Sequence, residues 1–384
     1  MGNKVRFVFW QNGLTFHQMP HIRALARRGH ETIWVATEDM PEGRREQGWP
    51  EVDPSPAQSL VTTDPVKALE LLAKEPENSV HVFSGIRGCG QYITDTFMAS
   101  LQFQTRRIIL IEQRDDRGVV GALRRLNFLS DYWRYGKYIE AVLCMGYTGE
   151  HGGRHWYRRS GYPNHKVWPY GYWLEADPNK TSSHPTFHDS PEVKLMCLGS
   201  LIKRKGQDIL LRALGALKKR RPDLKWSLHL MGWGEMQAEL EALVKQENLA
   251  QEVTFTLFQP NDVAMAAIAQ SDLVVVPSRF DGWGVVTNEA LLRGVPVICS
   301  DYCGSKDLVG QKWRGEVFRT GDEAGLSRVL EKWIERGPKT PESAARIRKW
   351  TPRISGEVAA DYFVSLLDAS PTRKSPPLPL WLLD

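Results

Sequence analysis

Residues 272–301 read DLVVVPSRFDGWGVVTNEALLRGVPVICSD, and the fold turns on them. The run DLVVVPS is short and apolar without alternation, the pattern of a strand buried on both faces. Gly282 and Gly284 shape a tight turn. The spacing then predicts a helix from near Val285, stopped by Gly294, and a second strand at PVICSD. Within that helix Glu289 shares a face with Val285 and Leu292, at i, i+4 and i+7. A carboxylate on an apolar face is costly unless something pairs with it. Ligand hydroxyls could do so, because one carboxylate accepts two at once, as from a vicinal ribose diol. Asp281, in the turn, could hold another hydroxyl-rich group. The plainer alternatives are that Glu289 caps a neighbouring loop and that Asp281 is a turn residue. Amides at the helix start suit an anion such as phosphate, and the glycines let it approach the backbone.

Working outward, the same alternation fills the chain. After residue 192 it runs VKLMCLG, the helix GQDILLRALGALKKR, KWSLHLMG, the helix EMQAELEALVKQENL, EVTFTLF and a short helix, before the quoted stretch. The first half runs KVRFVFW, a Gly-containing turn QNGLTFHQ, the helix PHIRALARRG, ETIWVAT, and later SVHVFSG, RIILIEQ and AVLCMG. Alternating strands and helices predict parallel sheets covered on both faces. A chain of 384 residues is too long for one ordinary core. Two α/β domains facing a central cleft are therefore expected: an N-terminal domain over 1–174, a polar linker over 175–192 and a C-terminal domain over 193–340. Two helices over 341–369 would return to the N-terminal domain. A Pro-rich apolar tail, 370–384, would pack on the body or meet a membrane or partner.

Composition narrows the class. With 42% hydrophobic and 25% charged residues the chain is that of a soluble globular protein, and no apolar run approaches a spanning helix. The N-terminus lacks a signal peptide, which favours the cytoplasm. Cys89, Cys144, Cys197, Cys299 and Cys303 are scattered and odd in number, so reduced, buried thiols are expected. A net charge of +5 does not signal nucleic acid. Residues 106–166, however, carry about twice as many basic as acidic side chains, mixed with aromatics. Such a surface suits an anionic membrane interface, or else the aromatics are core and the arginines solvated.

Further motifs bear on chemistry. In CLGSLIKRKGQDILLRAL, Lys203, Arg204, Lys205 and Gly206 precede a helix, where cations suit phosphate. The stretch departs from a Walker A loop, which needs a Gly before the Lys and a Ser or Thr after it. LMGWGEMQAEL has Gln237 where a dinucleotide fingerprint needs a third Gly, so NAD is set aside. Gly13 follows the first strand, where amides can face a pyrophosphate, and His17 and Gln18 lie just beyond. Neither HGGRH at 151–155 nor RDDR at 114–117 has the donor set of a metal site, and no metal is expected.

Taken together and in this order, the motifs resemble the retaining GT-B glycosyltransferases of glycosyltransferase family 4. The resemblance is strong over about residues 193–310 and mostly architectural before 175. It rests on Asp281, Gly282-Trp283-Gly284 and Glu289, on Lys205-Gly206, on Gly232 to Glu235, and on SDLVVVPS and ALLRGVPVICSD. It implies a nucleotide-diphosphate sugar as donor, UDP-linked by preference, with no further cofactor. Glu289 would bind the ribose. Asp281 and the amides of Gly282, Trp283, Gly284, Val285 and Val286 would hold the sugar and distal phosphate. Lys205, helped by Arg204, would neutralise the diphosphate, and Phe258 would lie near the base. Gly13, Ser200, Gly232 and Gly234 would line the donor. The sequence departs from the family in having Asp281 for a Glu, and Ser200 where an Arg is usual. Glu112 stands near the position of the family's N-domain histidine. The acceptor would be a saccharide or lipid-linked saccharide of bacterial lipopolysaccharide or polysaccharide assembly. A nucleotide-sugar epimerase and a non-catalytic sugar-nucleotide binder share this architecture.

Overall fold

The computed structural model describes residues 4–40, 45, 49, 51–175, 184–368 and 374–383. Part of the expected linker, 176–183, and parts of the tail, 370–373 and 384, lie outside them. The chain forms two compact units, one of residues 1–46, 50–175 and 354–383, the other of 47–49, 176–353 and 384.

The first unit is built on a seven-stranded parallel sheet in the order β3-β2-β1-β4-β5-β6-β7. The strands are β1 (Arg6–Gly13), β2 (Glu31–Glu38), β3 (Gln58–Val61), β4 (Ser79–Phe83), β5 (Arg106–Ile111), β6 (Ala141–Met145) and β7 (Val167–Tyr170). Helices α1 (Met19–Arg27), α2 (Pro65–Ala73), α3 (Gln91–Ser100), α4 (Gly118–Tyr135) and α5 (Gly153–Arg159) connect them. The central strands are buried along nearly their whole length because helices cover both faces.

The second unit repeats the plan with six parallel strands in the order β10-β9-β8-β11-β12-β13. These are β8 (Val193–Leu198), β9 (Trp226–Met231), β10 (Val253–Thr256), β11 (Leu273–Val276), β12 (Val297–Ser300) and β13 (Gly315–Phe318). Its helices are α6 (Gln207–Arg220), α7 (Gln237–Gln246), α8 (Asn261–Gln270), α9 (Val286–Leu292), α10 (Glu323–Glu335) and α11 (Pro341–Trp350). In each parallel sheet the strand order thus reverses at one place, between β1 and β4 and between β8 and β11. In open α/β sheets that reversal opens a crevice at the carboxyl ends of the two strands.

The strands that the sequence did not announce, β3, β7 and β13, are all at sheet edges. Each has four residues, and β7 carries Pro169, which a central strand would not tolerate. The stretch Gln11–Gly13, read as turn, continues β1, because β2 runs on to pair Gly13 with Glu38.

The chain returns to the first unit at Ile354. Helix α11 therefore stays with the second unit, where Ala344 backs onto Gly294. Only α12 (Gly356–Leu367) joins the first, its Gly356 pressed against Pro20. Residues 184–192 pack on the second unit: Thr186 N–H donates to the Ala269 carbonyl at 3.1 Å, and His188 meets Asp272 at 3.0 Å. The tail packs on the first, with Trp381 buried against Trp173 at 4.5 Å between ring centres. All five cysteines are buried and unbridged.

Candidate functional site

Two loops flank the reversal in the second sheet. The first leaves β8 at Gly199 and passes through a 3-10 turn at Lys203–Lys205 into Gly206, which caps α6. Gly206 has φ of +72°, and a Cβ there would lie 2.2 Å from the Pro277 carbonyl oxygen. No other residue permits this approach, so the basic corner is seated on the backbone that leaves β11. Arg279 N–H donates to the Arg204 carbonyl at 2.8 Å, and Arg204 Nη1 to the Phe280 carbonyl at 2.9 Å. Arg279 is itself locked in a bidentate pair with Asp208, both bonds 2.6 Å.

The second loop is the Asp281–Gly284 turn. Asp281 N–H donates to the Tyr302 carbonyl at 3.0 Å, and Gly304 N–H to the Asp281 carbonyl at 3.0 Å, so the turn is stitched to the segment after β12. Ser305 N–H and Cys303 Sγ both donate to the Trp283 carbonyl, at 2.7 and 3.0 Å. Gly284 (φ +88°) leaves room for Cys303, whose Sγ would stand 2.7 Å from an added Cβ. The indole of Trp283 points into the core and donates to Asn288 Oδ1 at 2.7 Å. The side chain therefore anchors the turn, and the ligand contact expected of this residue is that of its backbone amide.

Across the reversal the two loops meet. Lys205 Nζ donates to Asp281 Oδ2 at 2.6 Å, and Arg204 Nη1 stands 3.7 Å from Oδ1. Residues 76 positions apart thus form one cationic corner, in which Asp281 is buried, Lys205 partly buried and Arg204 exposed.

Glu289 lies one turn into α9 and is buried. Its Oε2 has no hydrogen-bond partner among the described residues. Burial pushes the carboxyl up to about 7, against the opposing pull of Arg293, whose guanidinium donates to the Glu289 carbonyl at 3.0 Å. A buried, unpartnered carboxyl is costly, and such groups are concentrated at binding and catalytic sites.

The remaining donor-side candidates are close by in the sheet. Gly232 and Gly234 follow β9, and a Cβ on either would strike the β8 loop, at 2.0 Å from the Gly199 oxygen and 2.4 Å from the Leu201 oxygen. Their role is backbone contact between neighbouring strand exits. Ser200 lies in the same loop, and its carbonyl accepts from Gln207 Nε2 at 3.0 Å. Phe258 is half-buried just beyond β10. Gly13 and Glu112 belong to the first unit. Gly13 ends β1, and Glu112 follows β5, accepting from the Tyr172 hydroxyl at 2.9 Å. Tyr172 lies against His17, with tilted rings 4.9 Å between centres. Tyr172, Cys303 and the Arg279–Asp208 pair were not among the candidate site residues and emerge only from the fold.

Residues 179–351, within the second unit, match the sequence model of the family described as Glycosyl transferases group 1. The chain is similar to the GDP-mannose-dependent alpha-(1-6)-phosphatidylinositol monomannoside mannosyltransferase of Mycolicibacterium smegmatis, 34% identical over 128 residues. It is also similar to the alpha-D-kanosaminyltransferase of Streptomyces kanamyceticus, 28% identical over 141 residues. The aligned stretch spans about a third of this chain and about a third of each relative's length. Among solved structures, the apo lipopolysaccharide outer core galactosyltransferase WaaB superposes with a TM-score of 0.66 at 14% identity, covering 95% of this chain and 99% of that one. Anabaena HepE in complex with UDP gives 0.67 at 16%, covering 95% and 100%. The fold is thus of the GT-B type, with two Rossmann-like units.

Proposed function

We propose that the protein is a retaining, metal-independent glycosyltransferase that moves a sugar from a nucleotide-diphosphate donor to a saccharide or lipid-linked saccharide. One observation carries the reading: at the strand reversal a fixed cationic corner, Lys205 with Arg204, adjoins a turn followed one helical turn later by the buried, unpartnered Glu289. A diphosphate sugar needs both. Its diol satisfies Glu289, and its phosphates draw on the corner. Cleaving the bond between the anomeric carbon and the phosphate oxygen leaves the electron pair, and so the negative charge, on the diphosphate. Cations already in place stabilise that charge without reorganising. Asp281 holds the Lys205 ammonium until donor arrives, then turns to the sugar. The acceptor oxygen forms the new bond from the face the phosphate leaves, and its proton passes to that phosphate, so the configuration is kept and no protein nucleophile is required. The amides of Gly282 to Val286, with Ser200, Gly232 and Gly234, line the donor, and Phe258 lies near the base, for which uridine is preferred.

On this reading residues 193–340 bind the donor and 1–174 the acceptor, with Gly13 facing the phosphates and Glu112 acting on sugar or acceptor. The enzyme works in the cytoplasm, in assembly of bacterial lipopolysaccharide or polysaccharide. Similarity to proteins described as a phosphatidylinositol mannosyltransferase and a lipopolysaccharide galactosyltransferase supports a lipid-linked acceptor.

Thermal-shift screening against nucleotides and nucleotide sugars tests the donor. A ligand at about 100 times its Kd should stabilise the native state by about 2.7 kcal/mol, and Glu289→Gln should abolish the shift. Product analysis with the stabilising donor then separates transfer from epimerisation. A chain stabilised by no nucleotide, or one that converts the donor without acceptor to an epimer, would refute the proposal.

A further inference from the structure

Helix α4, in the first unit, is apolar on two opposite faces. Its inner face, Phe128, Tyr132 and Tyr135, packs on Trp156, Tyr162 and Phe97, with ring centres 4.5–5.8 Å apart. That face accounts for the helix's attachment. Its outer face carries Val119, Leu123, Leu126 and Trp133, spaced i, i+4, i+7 and i+14, so they form one stripe along the helix. They are 77%, 56%, 57% and 85% exposed. A soluble helix normally turns polar residues outward at these positions. Four large apolar side chains in register, one a tryptophan, make a face that is finished by something else.

The charges around the stripe say what. Residues 118–138 contain Arg124, Arg125, Arg134 and Lys137 and a single acid, Asp131. Asp131 is turned inward and paired with Arg87, so it does not offset the outward cations. Arg124, Arg134 and Lys137 are exposed. An apolar stripe edged by cations complements an anionic lipid surface, where leucine and tryptophan enter the headgroup boundary and arginines meet phosphates. A second copy of the chain would bring the same cations against themselves. Among the described residues no helix is long and apolar enough to cross a membrane, so the contact is one of lying on the surface.

We propose that α4 is a membrane-docking helix that seats the first unit on anionic phospholipid through Val119, Leu123, Leu126 and Trp133. The inference stands on α4 alone and does not depend on the donor site. Co-sedimentation of the full chain with vesicles tests it. Binding is expected to phosphatidylcholine vesicles containing phosphatidylglycerol, and to weaken as salt shortens the screening length. The triple variant Leu123→Gln, Leu126→Gln, Trp133→Gln should bind about tenfold less or weaker still, since most of the inserted apolar area is gone. These side chains are exposed, so folding and any nucleotide-induced thermal shift should be unchanged. Arg124→Glu with Arg134→Glu should remove the preference for anionic over neutral vesicles. Three results would overturn the proposal: no binding to the anionic vesicles, equal binding by the triple variant, or a dimer in water that the triple variant converts to monomer.

Discussion

The two sheets share one strand order and differ at the place where that order reverses. In the second unit the flanking loops are fixed to each other: Gly206 is pressed on Pro277, Lys205 is bonded to Asp281, and Arg279 locks the pair of loops through Asp208. In the first unit, contact across the corresponding reversal includes a 3.4 Å bond from the Ser84 hydroxyl to Asn12, and added Cβ atoms at Gly88 and Gly90 would meet nothing within 4 Å. Topology therefore supplies the reversal in both, and in the second unit an ion pair, Lys205–Asp281, spans it. On the function proposed above, the second unit's fixed corner meets the diphosphate, and the first unit meets a more variable acceptor. Fold alone does not assign the roles; the side chains at the reversal do.

The strongest way to break this comparison is to remove the charge from the second unit. Lys205→Ala should lower turnover by about 10²–10³-fold, the range for losing one preorganised group at the developing charge. Steady-state transfer from the donor checks it, and a loss below tenfold would mean that the corner is not where charge develops. Next comes the backbone contact. Gly206→Ala should destabilise the second unit by more than about 2 kcal/mol, because the φ is left-handed and the carbonyl of Pro277 blocks the methyl. Gly88→Ala, equally left-handed but in open space, should cost only about 1 kcal/mol. Denaturant titration of both variants measures the contrast directly.

Glu289 offers a test with a sign. Its folded value, about 7, lies above the ordinary 4.5. As pH rises between those values the unfolded chain gives up the proton and the folded one keeps it, so stability falls across that window and the cost is complete above it. Glu289→Gln should raise Tm by roughly 3–6 °C at about pH 8. The gain should vanish at about pH 4, where both states are protonated. Binding of nucleotide sugar should be lost in the same variant. A residue that lowers stability in the free protein yet is needed for binding is what a ligand site requires; a variant that loses stability at high pH instead would mark Glu289 as structural. The smallest effect is expected in the first unit: Glu112→Gln should leave nucleotide affinity, read by calorimetry, within about twofold, the noise of a site that is not touched. Weakened nucleotide binding there would erase the difference between the halves.

Much of this was legible in the sequence, for local reasons. Central strands such as LVVV and FVFW announce themselves because burial on both faces leaves no polar positions. The turn at Gly282–Gly284 and the stop at Gly294 show because backbone geometry restricts the residue type. The edge strands β3, β7 and β13 did not show, since a strand with one neighbour needs neither length nor a continuous apolar run. Trp283 read as part of a ligand-binding turn, and nothing local says that its indole goes inward to Asn288.

The sequence by itself determined two α/β units, a glycine-shaped turn and an acid out of keeping with its helical face, because these follow from periodicity and from the conformations each residue allows. Only the tertiary structure decided that Lys205 meets Asp281, that Glu289 Oε2 has no hydrogen-bond partner among the described residues, that α11 and α12 part company, and that the leucines of α4 face outward. Each of those depends on which distant segment occupies the neighbouring space, and spacing along the chain carries no record of that.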